Sequence, residues 1–157
     1  MNLVRLALAA VSCLVVTSST LAADNTPPEG YVALFNGKDL SGWVGLPVRP
    51  SPKDPAKLIA LTMPERLSLP ADELAQAQEL ANKSAREHWR VEDGVIIFDG
   101  KGQNLCTDRD YGDFDLYVDW KIHKDGDSCI YLRGSPQIQI WDPDLQVSKF
   151  GERIGSG

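Results

Sequence analysis

The chain has 157 residues, a formal net charge of −6 at pH 7 and two histidines. Its length allows one domain with a real core. The acidic surplus argues against nucleic acid as a partner, because phosphate binding wants clustered Lys and Arg, and two histidines with no zinc-type Cys/His spacing leave no metal motif of that class.

The first 23 residues stand apart. Arg5 precedes an apolar run from Leu6 to Val16, which ends in small residues through Ala23. That is the layout of a secretory signal peptide, and the run is shorter than the roughly 20 apolar residues a spanning helix needs. Thr20-x-Ala22 or Leu21-x-Ala23 offers a cleavage point, whereas Ala10-Val11-Ser12 before Cys13 makes a poor lipidation box. The expectation is export to the periplasm or beyond, with no stable membrane insertion after cleavage. Removal of residues 1–23 takes away Arg5 and no acid, so the charge of −6 becomes −7 on residues 24–157. Cys106 and Cys129 then remain. An oxidising compartment permits a disulfide between them, and a strand pattern around each equally suits a free, buried thiol.

Tyr31–Phe35 reads as a strand running into an Asn36-Gly37 turn, with Trp43 closing the unit. Eight of the ten prolines lie between Pro27 and Pro70, which predicts an irregular segment running over the surface. From Ala71 to His88, Leu74, Ala77, Ala81 and Ala85 recur at three- and four-residue spacing after Ser68 and Pro70, and this predicts one amphipathic helix. Its stripe is mostly alanine, so the helix is expected outside a larger core, with His88 capping its end or packing there. After it come short strands and turns: Trp89–Val91, a turn at Glu92-Asp93-Gly94, Val95–Phe98, a turn at Gly100-Lys101-Gly102 and Asn104–Thr107. The longest predicted strand is Phe114–His123, where Phe114, Leu116, Val118, Trp120 and Ile122 alternate with Asp115, Tyr117, Asp119, Lys121 and His123. A turn at Asp125–Ser128 leads to Cys129–Arg133, and Gly134-Ser135-Pro136 leads to Gln137–Asp142.

Alternation in these last three strands gathers Asp119, Lys121, Tyr131, Arg133, Gln137, Gln139 and Trp141 on one face. Aromatic rings mixed with amides, carboxylates and a guanidinium suit a sugar, whose apolar side packs on a ring while its hydroxyls find planar polar groups. The competing account is purely structural: cross-strand ion pairs among Asp119, Lys121 and Arg133, and a bond between Gln137 and Gln139. Asp119 and Asp142 are the two carboxylates on or beside the face that suit acid/base work as a pair. Aspartates in turn-like stretches, Asp125 and Asp127 among them, read as turn formers. Asp125, Asp127, Asp142 and Asp144 supply oxygens of the kind calcium takes, but their spacing fits no EF-hand loop, so the sequence calls for no cofactor.

Several motifs together carry a resemblance: Tyr31-Val-Ala-Leu-Phe-Asn-Gly-Lys-Asp-Leu-Ser-Gly-Trp43, Trp89-Arg-Val-Glu-Asp-Gly94, Leu105-Cys-Thr107, Tyr111-Gly-Asp-Phe-Asp-Leu116, Ile130-Tyr-Leu-Arg-Gly134 and Gln137-Ile-Gln-Ile-Trp-Asp142. In this order they resemble the 3-keto-disaccharide hydrolase family, from about Gly30 to the last residue. The resemblance implies an all-β fold, a concanavalin-like jelly-roll sandwich of which this chain carries the N-terminal portion, with the helix as an insertion at about 47–88. It also implies cleavage of 3-keto-glycosides, with Asp119 or Asp142 as base, Arg133 stabilising an enolate, Lys121, Gln137 and Gln139 binding the sugar, and Tyr131 and Trp141 stacking on it. Where many members carry glutamate and glycine, this chain has Gln137 and Cys129, and it ends in Phe150–Gly157 where relatives continue into further strands. The alternative of another class is a non-catalytic, lectin-like carbohydrate-binding module, which needs only the rings and amides. An envelope scaffold using the helix would need neither carboxylate nor face. Oligomeric state is not legible in the sequence.

Overall fold

A computed structural model of the chain describes residues 25–134 and 136–142. The expected signal peptide, Asp144, Ser135 and the Phe150–Gly157 ending lie outside the described residues. In chain order the elements are β1 (Trp43–Gly45), β2 (Val48–Pro50), β3 (Leu58–Ala60), α1 (Met63–Ser68), α2 (Ala71–His88), β4 (Trp89–Glu92), β5 (Val95–Phe98), β6 (Leu105–Thr107), β7 (Asp127–Tyr131) and β8 (Gln137–Trp141). The strands pair antiparallel as β1–β6, β2–β3, β4–β5 and β7–β8. The architecture among the described residues is β-rich, with one long helix, and no helix there is long and apolar enough to cross a membrane.

Helix α2 has the bounds its periodicity predicts, but its place is different. Ala77, Ala81 and Ala85 are buried, as is Ser84, and they join Val48, Leu61 and Ile140 as the buried apolar side chains. The helix packs on β1, β2 and β4 and forms the centre of the core. An alanine stripe permits close approach, and that is how this one is used. A Cβ added at Gly45 of β1 would lie 2.3 Å from the carbonyl oxygen of Ala81. Polar side chains beside that contact complete it: the Gly45 N–H donates to Asn82 Oδ1 at 3.1 Å, and Gln78 Nε2 donates to the Gly45 carbonyl at 2.7 Å and to Asn82 Oδ1 at 2.9 Å. Two helix amides thus satisfy backbone groups on β1 that its partner β6 does not reach.

The proline-rich stretch is not the irregular surface segment expected. It forms the β2–β3 ribbon and α1, with Val48 fully buried. Proline punctuates these elements without preventing them. Pro50 closes β2, and Pro64 sits in the first turn of α1, where a missing N–H costs no intrahelical bond. Thr62 and Glu65 form a capping box at that end, and Arg49 pairs with Glu65 at 2.9 Å.

Two predicted strands are not formed. Tyr31–Phe35 has no regular structure, although its turn is built as expected: Asn36 Oδ1 accepts from the N–H groups of Lys38 and Asp39, Gly37 takes φ 74°, and the Trp43 indole donates to the Leu34 carbonyl at 3.0 Å. Phe114–His123 likewise lies in no ladder, and Phe114, Leu116, Val118 and Trp120 are exposed. Alternation names the two faces of a strand, but a strand exists only beside a hydrogen-bonded neighbour, and among the described residues this segment has none.

The other hairpins follow the sequence closely. Asp93 (φ 48°) and Gly94 (φ 75°) make the two-residue left-handed turn between β4 and β5, across which Trp89 stacks on Phe98 with ring centroids 4.3 Å apart. His88 packs at the helix end, its Nδ1 3.0 Å from Asp99 Oδ2, and Gly102 leaves room for its ring. Cys106 and Cys129 are both free thiols, and burial pushes the Cys106 thiol up.

Candidate functional site on the β7–β8 hairpin

The hairpin begins at a tight entry. Asp125 takes φ 60° and donates its N–H to Asp142 Oδ2 at 2.6 Å, while the Asp142 N–H donates to the Gly126 carbonyl at 3.0 Å. The first and last residues of the unit therefore lock each other, which sets the register Asp127↔Trp141, Ser128↔Ile140, Cys129↔Gln139, Ile130↔Ile138 and Tyr131↔Gln137. The period of two then separates the faces. Ser128, Ile130, Ile138 and Ile140 share one, where Ile140 is buried. Asp127, Cys129, Tyr131, Gln137, Gln139 and Trp141 share the other.

Hydrogen bonds order that second face. Gln137 Nε2 donates to Gln139 Oε1 at 2.8 Å, Gln139 Nε2 donates to Asp127 Oδ1 at 2.6 Å and to the Ser128 carbonyl at 2.8 Å, and the Trp141 indole donates to the same Asp127 oxygen at 3.2 Å. Tyr131 is half exposed, and its phenol is pushed above its ordinary value of 10.0, first by its bond with the Cys129 thiol. The hydroxyl therefore stays protonated through neutral pH and remains a donor. The face offers two rings, two amides and one carboxylate in an extent of two short strands.

Of the residues expected at the site, Tyr131, Gln137, Gln139 and Trp141 come together, and Asp142 stands at the mouth of the hairpin. Arg133 does not join them. The strand ends at Tyr131, Arg133 takes φ 50° in the following turn, and its guanidinium lies 3.7 Å from Asp113. Asp119 and Lys121 lie in the unpaired segment, and no ion pair or side-chain hydrogen bond among the described residues ties either to the hairpin. The cross-strand ion pairs of the structural account are thus not formed, while its Gln137–Gln139 bond is. Among the described residues no group of three His, Cys, Asp or Glu side chains is placed to hold a metal. Asp127, read as a turn former, is instead a member of the face. Carrying the alternation of Tyr131 and Cys129 back two more residues finds it.

Comparison with known proteins bears on what such a face does. Residues 30–156 match the family described as the 3-keto-alpha-glucoside-1,2-lyase-like domain. The chain belongs to this family. The match includes all eight strands and both helices. A 3-keto-disaccharide hydrolase of Bacteroides thetaiotaomicron is 27% identical to the chain over 112 residues, covering 66% of this chain and 27% of that protein. The chain thus aligns with about a quarter of that relative's length. No solved structure gives a significant match.

Proposed function

We propose that the chain is an exported glycoside-cleaving enzyme of the periplasm or beyond, acting on 3-keto-glycosides, and that its complete fold is a concanavalin-like jelly roll. The observation that carries this reading is the β7–β8 face, where Tyr131 and Trp141 flank the bonded amides of Gln137 and Gln139 in a chain of this family. The relative named as a 3-keto-disaccharide hydrolase supports the reaction class.

The chemistry follows from the ketone. A carbonyl at C3 acidifies the C2 hydrogen, so a carboxylate, Asp119 or Asp142, takes that proton while the electron pair moves toward the carbonyl oxygen as an enolate. Collapse of the enolate forms the C1=C2 bond and expels the aglycone oxygen, which picks up a proton. Water then adds at C1, and a proton returns to C2. Arg133 is the cation for the enolate oxygen once the turn that carries it swings toward the sugar. Lys121, Gln137 and Gln139 meet hydroxyls, and Tyr131 and Trp141 stack on the ring.

The test is cleavage of a 3-ketoglucoside in heavy water. Elimination and hydration place deuterium at C2 of the released sugar, in excess of the exchange that free 3-ketoglucose shows alone. Release without C2 deuterium contradicts proton abstraction and points to direct displacement at C1. One observation favours a second reading, a lectin-like binding module: the groups that stack and hydrogen-bond are assembled, whereas Asp119 and Arg133 lie off the face. That module binds the sugar and releases nothing.

A further inference from the structure

We infer that Asp127 is a positioning residue that fixes both Gln139 and Trp141, and that it makes the hairpin face a hydrogen-bond acceptor toward sugar hydroxyls. This rests on the proposed sugar-binding role of the same face.

The argument starts from which way the amides point. An ionised carboxylate and a backbone carbonyl can only accept, and both lie within bonding distance of one end of Gln139: Asp127 Oδ1 at 2.6 Å and the Ser128 carbonyl at 2.8 Å. That end must be the NH₂ group, because the reverse orientation sets acceptor against acceptor twice. Both of its hydrogens are then spent, so Gln139 has no donor left for a ligand. Its Oε1 is turned to Gln137, which must answer with its own NH₂, as the 2.8 Å contact records. The outermost group of the chain is consequently the Gln137 carbonyl oxygen. The order Gln137 to Gln139 to Asp127 runs every N–H toward the carboxylate, and each bond polarises the next, which raises the acceptor strength at the exposed end.

The same Asp127 oxygen takes the Trp141 indole N–H at 3.2 Å from the directly opposed position. One atom thereby holds the plane of a stacking ring and the orientation of the amide beside it. Asp127 itself need not touch the sugar, and its effect passes through Gln139 and Trp141.

A single shared oxygen makes the test sharp, since asparagine keeps an Oδ1 and alanine does not. The full chain, Asp127→Ala and Asp127→Asn are compared by the ¹⁵N–¹H resonances of their tryptophan indoles and by their affinity for a methyl 3-ketoglucoside. In Asp127→Ala the Trp141 indole resonance moves while those of Trp43 and Trp89, bonded to the Leu34 and Gln103 carbonyls, stay in place and report an intact fold. The sugar Kd rises about tenfold, as expected for loss of a charge-assisted bond. Asp127→Asn brings the indole resonance back and the Kd to within about threefold of the parent. An unmoved Trp141 resonance in Asp127→Ala overturns the inference, and so does a moved resonance with unchanged affinity. A parent that binds the sugar without cleaving it, with both variants behaving as described, leaves the positioning role standing and removes the hydrolase reading alone.

Discussion

Around α2, side chains reach backbone; on the β7–β8 face they mainly reach one another. Gln78 and Asn82 hold Gly45 of β1, Asn25 holds the Gly94 carbonyl and Gln103 holds the Leu58 carbonyl, each across a wide span of sequence. The hairpin face instead runs from amide to amide to carboxylate within two strands, and most of its members are exposed. The first arrangement secures tertiary structure, because it satisfies backbone groups that burial would otherwise penalise. The second holds functional groups in fixed directions at a surface, which is what recognition of a small polar ligand requires.

The largest effect expected from this contrast is at the helix contact. Gly45→Ala sets a methyl against the Ala81 carbonyl, where backbone has to move, and lowers stability by about 3 kcal/mol in urea unfolding. A loss under about 0.5 kcal/mol would show that β1 and α2 are not packed as described. Gln78→Ala removes the donor to the Gly45 carbonyl and costs about 1–2 kcal/mol by the same measurement. On the hairpin the balance reverses. Gln137→Ala leaves stability within about 0.5 kcal/mol, because the side chain is exposed, yet weakens sugar binding about tenfold in calorimetry.

The smallest effect is acidic. Bonds from the Thr62 backbone, then Arg49 and the Thr62 hydroxyl, lower the Glu65 carboxyl from 4.5 to about 2. A depressed folded-state value means that its contribution is fully present above the unfolded value and is lost as pH falls through the folded one. Stability therefore drops between about pH 4.5 and pH 2. Glu65→Gln flattens that part of the pH profile, and an unchanged acid limb would contradict the capping role.

The two regions also differ in how much of them the sequence discloses. Helix α2 and strand β5 have the bounds their periodicity predicts, because local spacing and neighbouring turn residues decide them. The split of the β7 and β8 side chains between two faces was equally legible, since it needs only the period of two. What local pattern cannot supply is the partner. Phe114–His123 alternates more strictly than any other stretch, yet it pairs with nothing among the described residues, so Asp119 and Lys121 were assigned to a face on which no ladder places them. The alanine stripe was read as peripheral because small side chains bury little area, although smallness is what lets Gly45 approach Ala81. Asp127 was missed for a related reason: aspartate next to glycine signals a turn, and only the register with Trp141 reveals its second task.

The central claim is that the hairpin face serves a glycoside-cleaving site, and aglycone release tests it most directly. The full chain is incubated with p-nitrophenyl 3-ketoglucoside beside its Asp119→Asn and Asp142→Asn variants, and nitrophenol is followed by absorbance. The account predicts release by the parent and a loss of about 10²–10⁴-fold in one of the two variants while sugar binding survives. A parent that binds the 3-ketoglucoside and releases no nitrophenol, or release that neither substitution slows, would contradict it.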